Sequence, residues 1–216
     1  MSVHIEADEP SYDYNNVIYV LVGPQEEASV VHENFIGAKS KFFAAACRKE
    51  WLDGVRKLVR LPEVESSIFK SYLNWIYTGH LAVKDTVKSE SEPSAGAEHA
   101  VEHAAFLKLY LLGYKLDDVS LRNQAMTLMV KHRFQPVPSM VKLAFDNTPQ
   151  NSLLRVKLIS SAAKHWSRTT FAKRIADYSS EFVHAIAILL MRQTKISPFA
   201  DFLEMLPELL EDEPET

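Results

Sequence analysis

The chain has 216 residues, of which 47% are hydrophobic and 24% are charged, a composition typical of a soluble globular protein. This length allows one or two domains with a substantial hydrophobic core. The net charge is −4, so no positive field is present that would attract nucleic acid or an anionic membrane surface. The longest apolar run, Phe182 to Met191, is interrupted by His184 and is much shorter than the roughly 20 residues that a membrane span needs. We therefore expect a protein that binds neither nucleic acid nor membranes.

The cysteine content indicates the compartment. Cys47 is the single cysteine, so the chain cannot form an internal disulfide, and this usage suits a reducing environment. Residues 1–16 are polar and acidic, and they lack the basic and then apolar pattern of a secretory signal. These features predict an intracellular protein of the cytoplasm, the nucleus or both.

The first predicted elements are two strands and a helical stretch. Residues 17–22 are β-branched, aromatic or aliphatic and end at Gly23-Pro24, which predicts a buried strand and a turn. A second strand is predicted at 28–32, so the two strands should form a hairpin. From Asn34 onward the apolar residues have helical spacing, with Asn34 as a candidate N-cap. This spacing predicts either one helix or two short ones.

A third strand and a longer helix come next. Residues 57–61 form a short, largely apolar run that stops at Pro62, which predicts another strand. Ser66-Ser67 is the candidate cap of the following helix, and Gly79 is expected to end it.

The second half of the chain is predicted to be helical. Residues 84–98 lack aromatic residues and are rich in Ser, Glu and Ala, which indicates a flexible surface loop. Six later segments have apolar residues at helical spacing: 100–115, 117–133, 138–146, 152–165, 168–176 and 179–193. The tail from Glu204 holds six acidic residues and no basic one, which is typical of a disordered end.

This order of elements predicts the α+β class, with a small mixed sheet and its helices first and helices alone afterwards. The predicted organisation is a flexible arm over residues 1–16, a mixed unit over 17–133, a helical extension over 134–203 and an acidic tail over 204–216.

We expect no enzymatic activity, because the sequence has neither a nucleophile elbow nor a Gly-rich phosphate loop. His99 and His103 are four residues apart and could share one face of a helix, but a solvated helix start explains them better than a metal site. Cys47 follows three alanines on a predicted core face, where burial would raise the thiol pKa and make it inert. No catalytic residue, metal ligand or cofactor is therefore predicted.

The three tryptophans differ in their surroundings. Trp75 and Trp166 lie within apolar periodicity and are expected in the core. Trp51 stands beside the predicted turn Leu52-Asp53-Gly54, where it either anchors a binding partner or folds back onto its own domain.

Four segments together resemble the BTB/POZ family. Residues 31–43 contain a strand ending in His and a helix with a Lys-Ser-x-x-Phe core, and residues 57–63 form a strand that closes on Pro and an acidic residue. Residues 69–81 match the family's helix end through Trp75-Ile76-Tyr77-Thr78-Gly79, and residues 107–129 are similar to its closing helix pair. The resemblance covers residues 17 to about 133. The Phe42 to Cys47 stretch, Ala144 to Pro149 and His165-Trp166 look most like fungal members that carry a helical C-terminal extension.

The resemblance implies a BTB/POZ fold, a small mixed sheet flanked by helices, and a role in protein–protein binding. Trp51-Leu52-Asp53 occupies the place of the hydrophobic-x-acidic motif of members that bind a cullin scaffold, with Asp for the usual Glu, and Tyr77 belongs to the same expected surface. The implied function is that of a substrate adaptor of a cullin-based ubiquitin ligase. The alternative is a scaffold or transcriptional cofactor that does not bind cullin, and an enzyme is a remote third.

The residues implied for self-association depart from the family pattern. Dimeric members often carry Asp before the first strand and Lys or Arg after the His, whereas these positions are Asn16 and Glu33 here. The charged pocket of the strand-swapped homodimer therefore lacks its ion pair, and we expect that dimer to be weak or absent.

Overall fold

The computed structural model describes residues 15–48, 57–81, 95–132 and 135–193. The chain divides into two compact units, Met1–Phe134 and Gln135–Thr216. Most of the predicted arm over 1–16, residues 84–94 of the predicted loop and the acidic tail over 204–216 lie outside the described residues.

The first unit combines a three-stranded sheet with helices, and the second is helical throughout its described part, in agreement with the predicted α+β class. The elements of the first unit are β1 Val17–Val22, β2 Glu27–His32, α1 Glu33–Lys39, α2 Lys41–Arg48, β3 Leu58–Leu61, α3 Ser66–Thr78, α4 Ala95–Lys115 and α5 Val119–Lys131. Those of the second are α6 Pro138–Asn147, α7 Leu153–His165, α8 Arg168–Arg174, a 3₁₀ turn Ile175–Asp177 and α9 Ser180–Gln193.

Strand β1 is the centre of the sheet, whose order is β2-β1-β3. It pairs antiparallel with β2, so the predicted hairpin is confirmed, and parallel with β3 on its other side. Ile18, Val20 and Val22 are at most 1% exposed, because alternate side chains of a strand point to the same face of the sheet. This face of β1 therefore belongs to the core of the first unit.

The helical stretch after β2 is two short helices, which settles the alternative that the sequence left open. Ser40 lies between them in an extended conformation and is fully buried. Its hydroxyl donates to the Leu116 carbonyl at 2.6 Å and accepts from the Phe43 N–H at 3.1 Å. Ser40 thus supplies a partner for an N–H group at the start of α2 and ties the helix break to the end of α4.

Two predicted helix caps are wrong. Helix α1 begins at Glu33 after an extended His32, because β2 runs straight into it, and Asn34 is already a helical residue. Helix α3 begins at Ser66 with Glu65 before it, so neither serine of the predicted pair is the cap residue. The predicted end at Gly79 is confirmed, since Gly79 has the left-handed φ of 69° and donates its N–H to the Trp75 carbonyl at 2.9 Å.

Helices α4 and α5 form an antiparallel pair joined by a tight turn at 116–118. Helix α4 begins at Ala95, so residues 95–98 of the predicted loop are helical. The Asp118 carboxylate caps α5 by accepting from the Leu121 N–H at 2.8 Å, and its other oxygen accepts from the Tyr72 hydroxyl at 3.2 Å. Burial raises the pKa of Asp118 and of Tyr72. This carboxylate therefore connects α3 to the α4–α5 turn inside the core.

The second unit is built around aromatic side chains and one buried cation. Trp166, Tyr178 and Phe182 contact one another with ring centroids 5.1 to 6.1 Å apart. The Arg155 guanidinium donates to the Phe145 carbonyl, to Thr148 and to the Glu181 carboxylate. Its side chain is only 8% exposed, so these bonds satisfy a charge that water barely reaches.

None of the helices in the ranges given above has the length and apolar character needed to cross a lipid bilayer.

Replacing Asp118 with Ala should lower the free energy of unfolding of the first unit by about 2–4 kcal/mol, since it removes a helix cap and leaves the buried Tyr72 hydroxyl without its acceptor. Urea unfolding followed by circular dichroism measures the loss. The same change at Asp146, an exposed residue of the second unit that is paired with Lys142, should leave the unfolding of the first unit unchanged. Equal losses at the two positions would contradict the role of Asp118.

Candidate interaction surface

Three aromatic side chains meet where β2, α1 and α3 come together. His32 ends β2, Phe35 lies in the first turn of α1 and Tyr77 lies in the last turn of α3. The Tyr77 ring centroid is 5.1 Å from that of Phe35 and 5.9 Å from that of His32. We call these residues the aromatic cluster. Since 41% of Tyr77 is exposed, the cluster is accessible to a partner.

Hydrogen bonds fix the exposed tyrosine at the edge of the sheet. The Tyr77 hydroxyl accepts from the His32 backbone N–H at 3.1 Å, and its oxygen lies 2.9 Å from Nδ1 of the same residue. These contacts join positions 45 residues apart in the sequence. They connect the end of α3 to the strand that leads into α1.

The two positions implied for dimerisation are neighbours in the fold. Glu33 donates its backbone N–H to the Asn16 carbonyl at 3.0 Å, directly beyond the β1–β2 ladder. The Glu33 carboxylate accepts from the Lys57 ammonium at 2.6 Å, and the Glu33 side chain is 15% exposed. The negative charge that the sequence places here is therefore balanced within the same chain.

Lys57 also connects the two segments of the first unit that flank residues 49–56. Its ammonium donates to the Cys47 carbonyl at 3.1 Å, so Lys57, just before β3, reaches back to the last turn of α2. Residues 49–56 lie between these two anchors. Trp51, Leu52 and Asp53, the candidate partner-binding motif, belong to this interval and lie outside the described residues.

Cys47 has the environment that the sequence predicts for an unreactive thiol, although it is half-buried and not fully enclosed. Burial raises its thiol pKa, and the nearby Glu33 carboxylate raises it further because a second negative charge is unfavourable there. A raised pKa leaves little of the thiolate that nucleophilic chemistry requires.

Of the two histidines that the sequence places four residues apart in α4, the structure describes the contacts of His103. His103 is buried and its Nε2 donates to the His132 carbonyl at 3.2 Å, which connects α4 to the end of α5. The side chain of His99 lies outside the described part of the chain. Within that part, no three His, Cys, Asp or Glu side chains are grouped so that they could hold a metal ion.

Two tryptophans were expected in the core. Trp166 is 8% exposed and contacts the aromatic residues of the second unit, which confirms the prediction. Trp75 is half-buried, and the Lys39 ammonium lies 5.8 Å from its ring centroid. Trp75 therefore lies at the boundary of the core, with its ring close to the Lys39 ammonium.

No protein-family model matches the chain, and a search of the curated proteins finds no match either. The aromatic cluster and the Glu33–Lys57 pair are thus defined by their contacts in the fold. Sequence reasoning singled out Tyr77, Asn16 and Glu33, but it missed Lys57 as the partner of Glu33. The two residues are 24 positions apart, and no local sequence pattern relates residues at that distance.

The raised thiol pKa predicts a slow alkylation reaction at Cys47. In the folded protein, the midpoint of the pH profile for iodoacetamide should lie above that of the same protein unfolded in urea, because less thiolate forms at each pH. Since the chain has a single cysteine, the loss of free thiol reports on this site alone. A Glu33→Gln variant should lower the folded midpoint, whereas a folded midpoint at or below the unfolded one would exclude the burial argument.

Proposed function

We propose that the first unit is a BTB/POZ domain that acts as a protein–protein interaction module, and that the protein is a substrate adaptor of a cullin-based ubiquitin ligase. The observation that supports this most is the agreement between motif and element boundaries. The His of the motif is His32 at the end of β2, the serine of the Lys-Ser-x-x-Phe core is Ser40 at the break between α1 and α2, and the Tyr-Thr-Gly ends α3 at Gly79.

The remaining motif segments agree in the same way. Strand β3 ends at Leu61, directly before the Pro62 on which the family's strand closes. The closing helix pair corresponds to α4 and α5, which follow α3 in the chain and pack against each other. Each of the four segments that carry the resemblance thus coincides with strands or helices of the first unit.

An adaptor needs a surface that another protein can bind. The aromatic cluster is such a surface, because Tyr77 is exposed on a rigid element and aromatic side chains supply much of the binding energy at interfaces. In the proposed adaptor, the Trp51-Leu52-Asp53 motif adds an aromatic anchor and a carboxylate that fixes how the cullin scaffold is aligned on the surface. The helical second unit is then the part available to capture a substrate.

The adaptor proposal predicts direct binding to the N-terminal domain of the cullin scaffold. In a pull-down with purified protein, the wild-type chain should retain the cullin domain, and the Trp51→Ala, Asp53→Ala double variant should lose it. Tyr77→Ala should weaken binding by at least about tenfold, since it truncates a central aromatic anchor.

Tyr114→Ala is the matched control, because Tyr114 is also 41% exposed but lies on α4 against Arg122. It should bind like the wild type. If the wild-type chain binds no cullin at tens of micromolar, the adaptor proposal fails and the unit is a scaffold or transcriptional cofactor with other partners.

We further propose that the strand-swapped homodimer is weak or absent. The pocket that holds a cross-chain ion pair in dimeric members has an asparagine at position 16, and its glutamate already pairs with Lys57 of the same chain. Light scattering at micromolar concentration should therefore give the monomer mass of 24.5 kDa. A clear dimer mass would contradict this.

A further inference from the structure

The hydroxyl of Tyr77 contacts its own chain although 41% of the residue is exposed. Its oxygen contacts two atoms of His32, the backbone nitrogen at 3.1 Å and Nδ1 at 2.9 Å. A phenol has one proton to donate and two lone pairs with which to accept. Since a backbone N–H can only donate, it takes one of the lone pairs.

The contact with Nδ1 determines where the hydroxyl proton lies. In neutral imidazole one nitrogen carries the proton and the other accepts. If the proton of His32 is on Nδ1, it is donated to the second lone pair of the Tyr77 hydroxyl, whose own proton then points away from His32. If the proton is on Nε2, Nδ1 accepts from the Tyr77 hydroxyl. The hydroxyl proton of Tyr77 is then used inside the chain, and the surface left for a partner is the carbon face of the ring.

Ring contacts hold the other end of the side chain. Phe35 lies against Tyr77 with the rings tilted by 45°, and the imidazole of His32 meets it edge-on at 89°. A side chain held at both ends loses little conformational freedom when a partner binds, so less of the binding energy is spent on ordering it.

We propose that His32 carries its proton on Nε2 and is a positioning residue of this surface. Through Nδ1 it holds the Tyr77 hydroxyl inward, so that the ring presents an apolar face to an aliphatic or aromatic side chain of the partner. This inference rests on the proposed function for the identity of that partner, the cullin N-terminal domain. The orientation of Tyr77 is a property of the free protein and can be measured without it.

The first experiment is long-range ¹H–¹⁵N NMR of the free full-length chain at slightly alkaline pH. His32 should be the tautomer with its proton on Nε2, and Tyr77→Phe should shift its Nδ1 signal. His165 is an internal reference of the opposite kind, because its Nδ1 lies 2.8 Å from the Ser161 carbonyl and must donate. A proton on Nδ1 of His32, or an unchanged Nδ1 signal in Tyr77→Phe, would overturn the proposal.

The second experiment is a double-mutant cycle on cullin-domain binding. His32→Ala and Tyr77→Phe should each weaken binding about threefold to tenfold, the range expected for the loss of one or two ordinary hydrogen bonds. The loss in the double variant should be smaller than the sum of the two single losses, because both changes remove the contact between Nδ1 and the hydroxyl. Additive losses, or a loss in Tyr77→Phe alone, would mean that the hydroxyl contacts the partner directly and would refute the positioning role.

Conservative replacements of His32 distinguish its positioning role from the simple loss of the imidazole ring. His32→Asn places an acceptor near the position of Nδ1 and should restore most of the binding, whereas His32→Gln places it farther out and should not. His165→Ala is the matched control in the second unit and should bind like the wild type, and thermal unfolding should show that each variant is folded. If the wild-type chain does not bind the cullin domain, the proposed function fails, and the NMR result alone decides whether His32 positions Tyr77.

Discussion

The first unit depends on the buried turn between α4 and α5, which offers a carboxylate and a carbonyl to the elements that precede it. Asp118 accepts from Tyr72 of α3, and the Leu116 carbonyl accepts from Ser40 at the break between α1 and α2. Three parts of the chain that are distant in sequence thus share one polar centre within an apolar core. Because these polar groups are buried, each must keep its partner, and the relative placement of the helices is fixed by that requirement.

The aromatic cluster follows from this placement. Tyr72 is anchored at the centre of α3, and Tyr77 lies just over one turn further along the same helix. The break at Ser40 ends α1 after two turns. Phe35, in the first turn of this helix, packs against Tyr77 at the end of α3. A rigid core therefore presents its exposed aromatic ring at a defined position, as a binding surface requires.

Local patterns in the sequence predicted the elements well and the contacts between them poorly. The apolar run of β1, the stop of β3 at Pro62 and the left-handed glycine at position 79 all have local causes, and each was found. The caps of α1 and α3 were misplaced because both helices begin at or before the predicted cap residues: β2 runs straight into α1, and Ser66 is already helical. Tyr72 reaches Asp118 across 46 positions and His32 reaches Tyr77 across 45, and no periodicity encodes such pairs. Tyr77 could be named as a site residue from its motif, whereas the residue that orients it could not.

The bond from Lys57 to the Cys47 carbonyl has a consequence for how this protein can change over evolutionary time. It fastens the last turn of α2 to the start of β3, so both flanks of residues 49–56 are anchored by groups outside that interval. The same ammonium also binds the Glu33 carboxylate, so one side chain maintains two contacts between different elements. A substitution at Lys57 loses both contacts at once, so selection should retain this lysine.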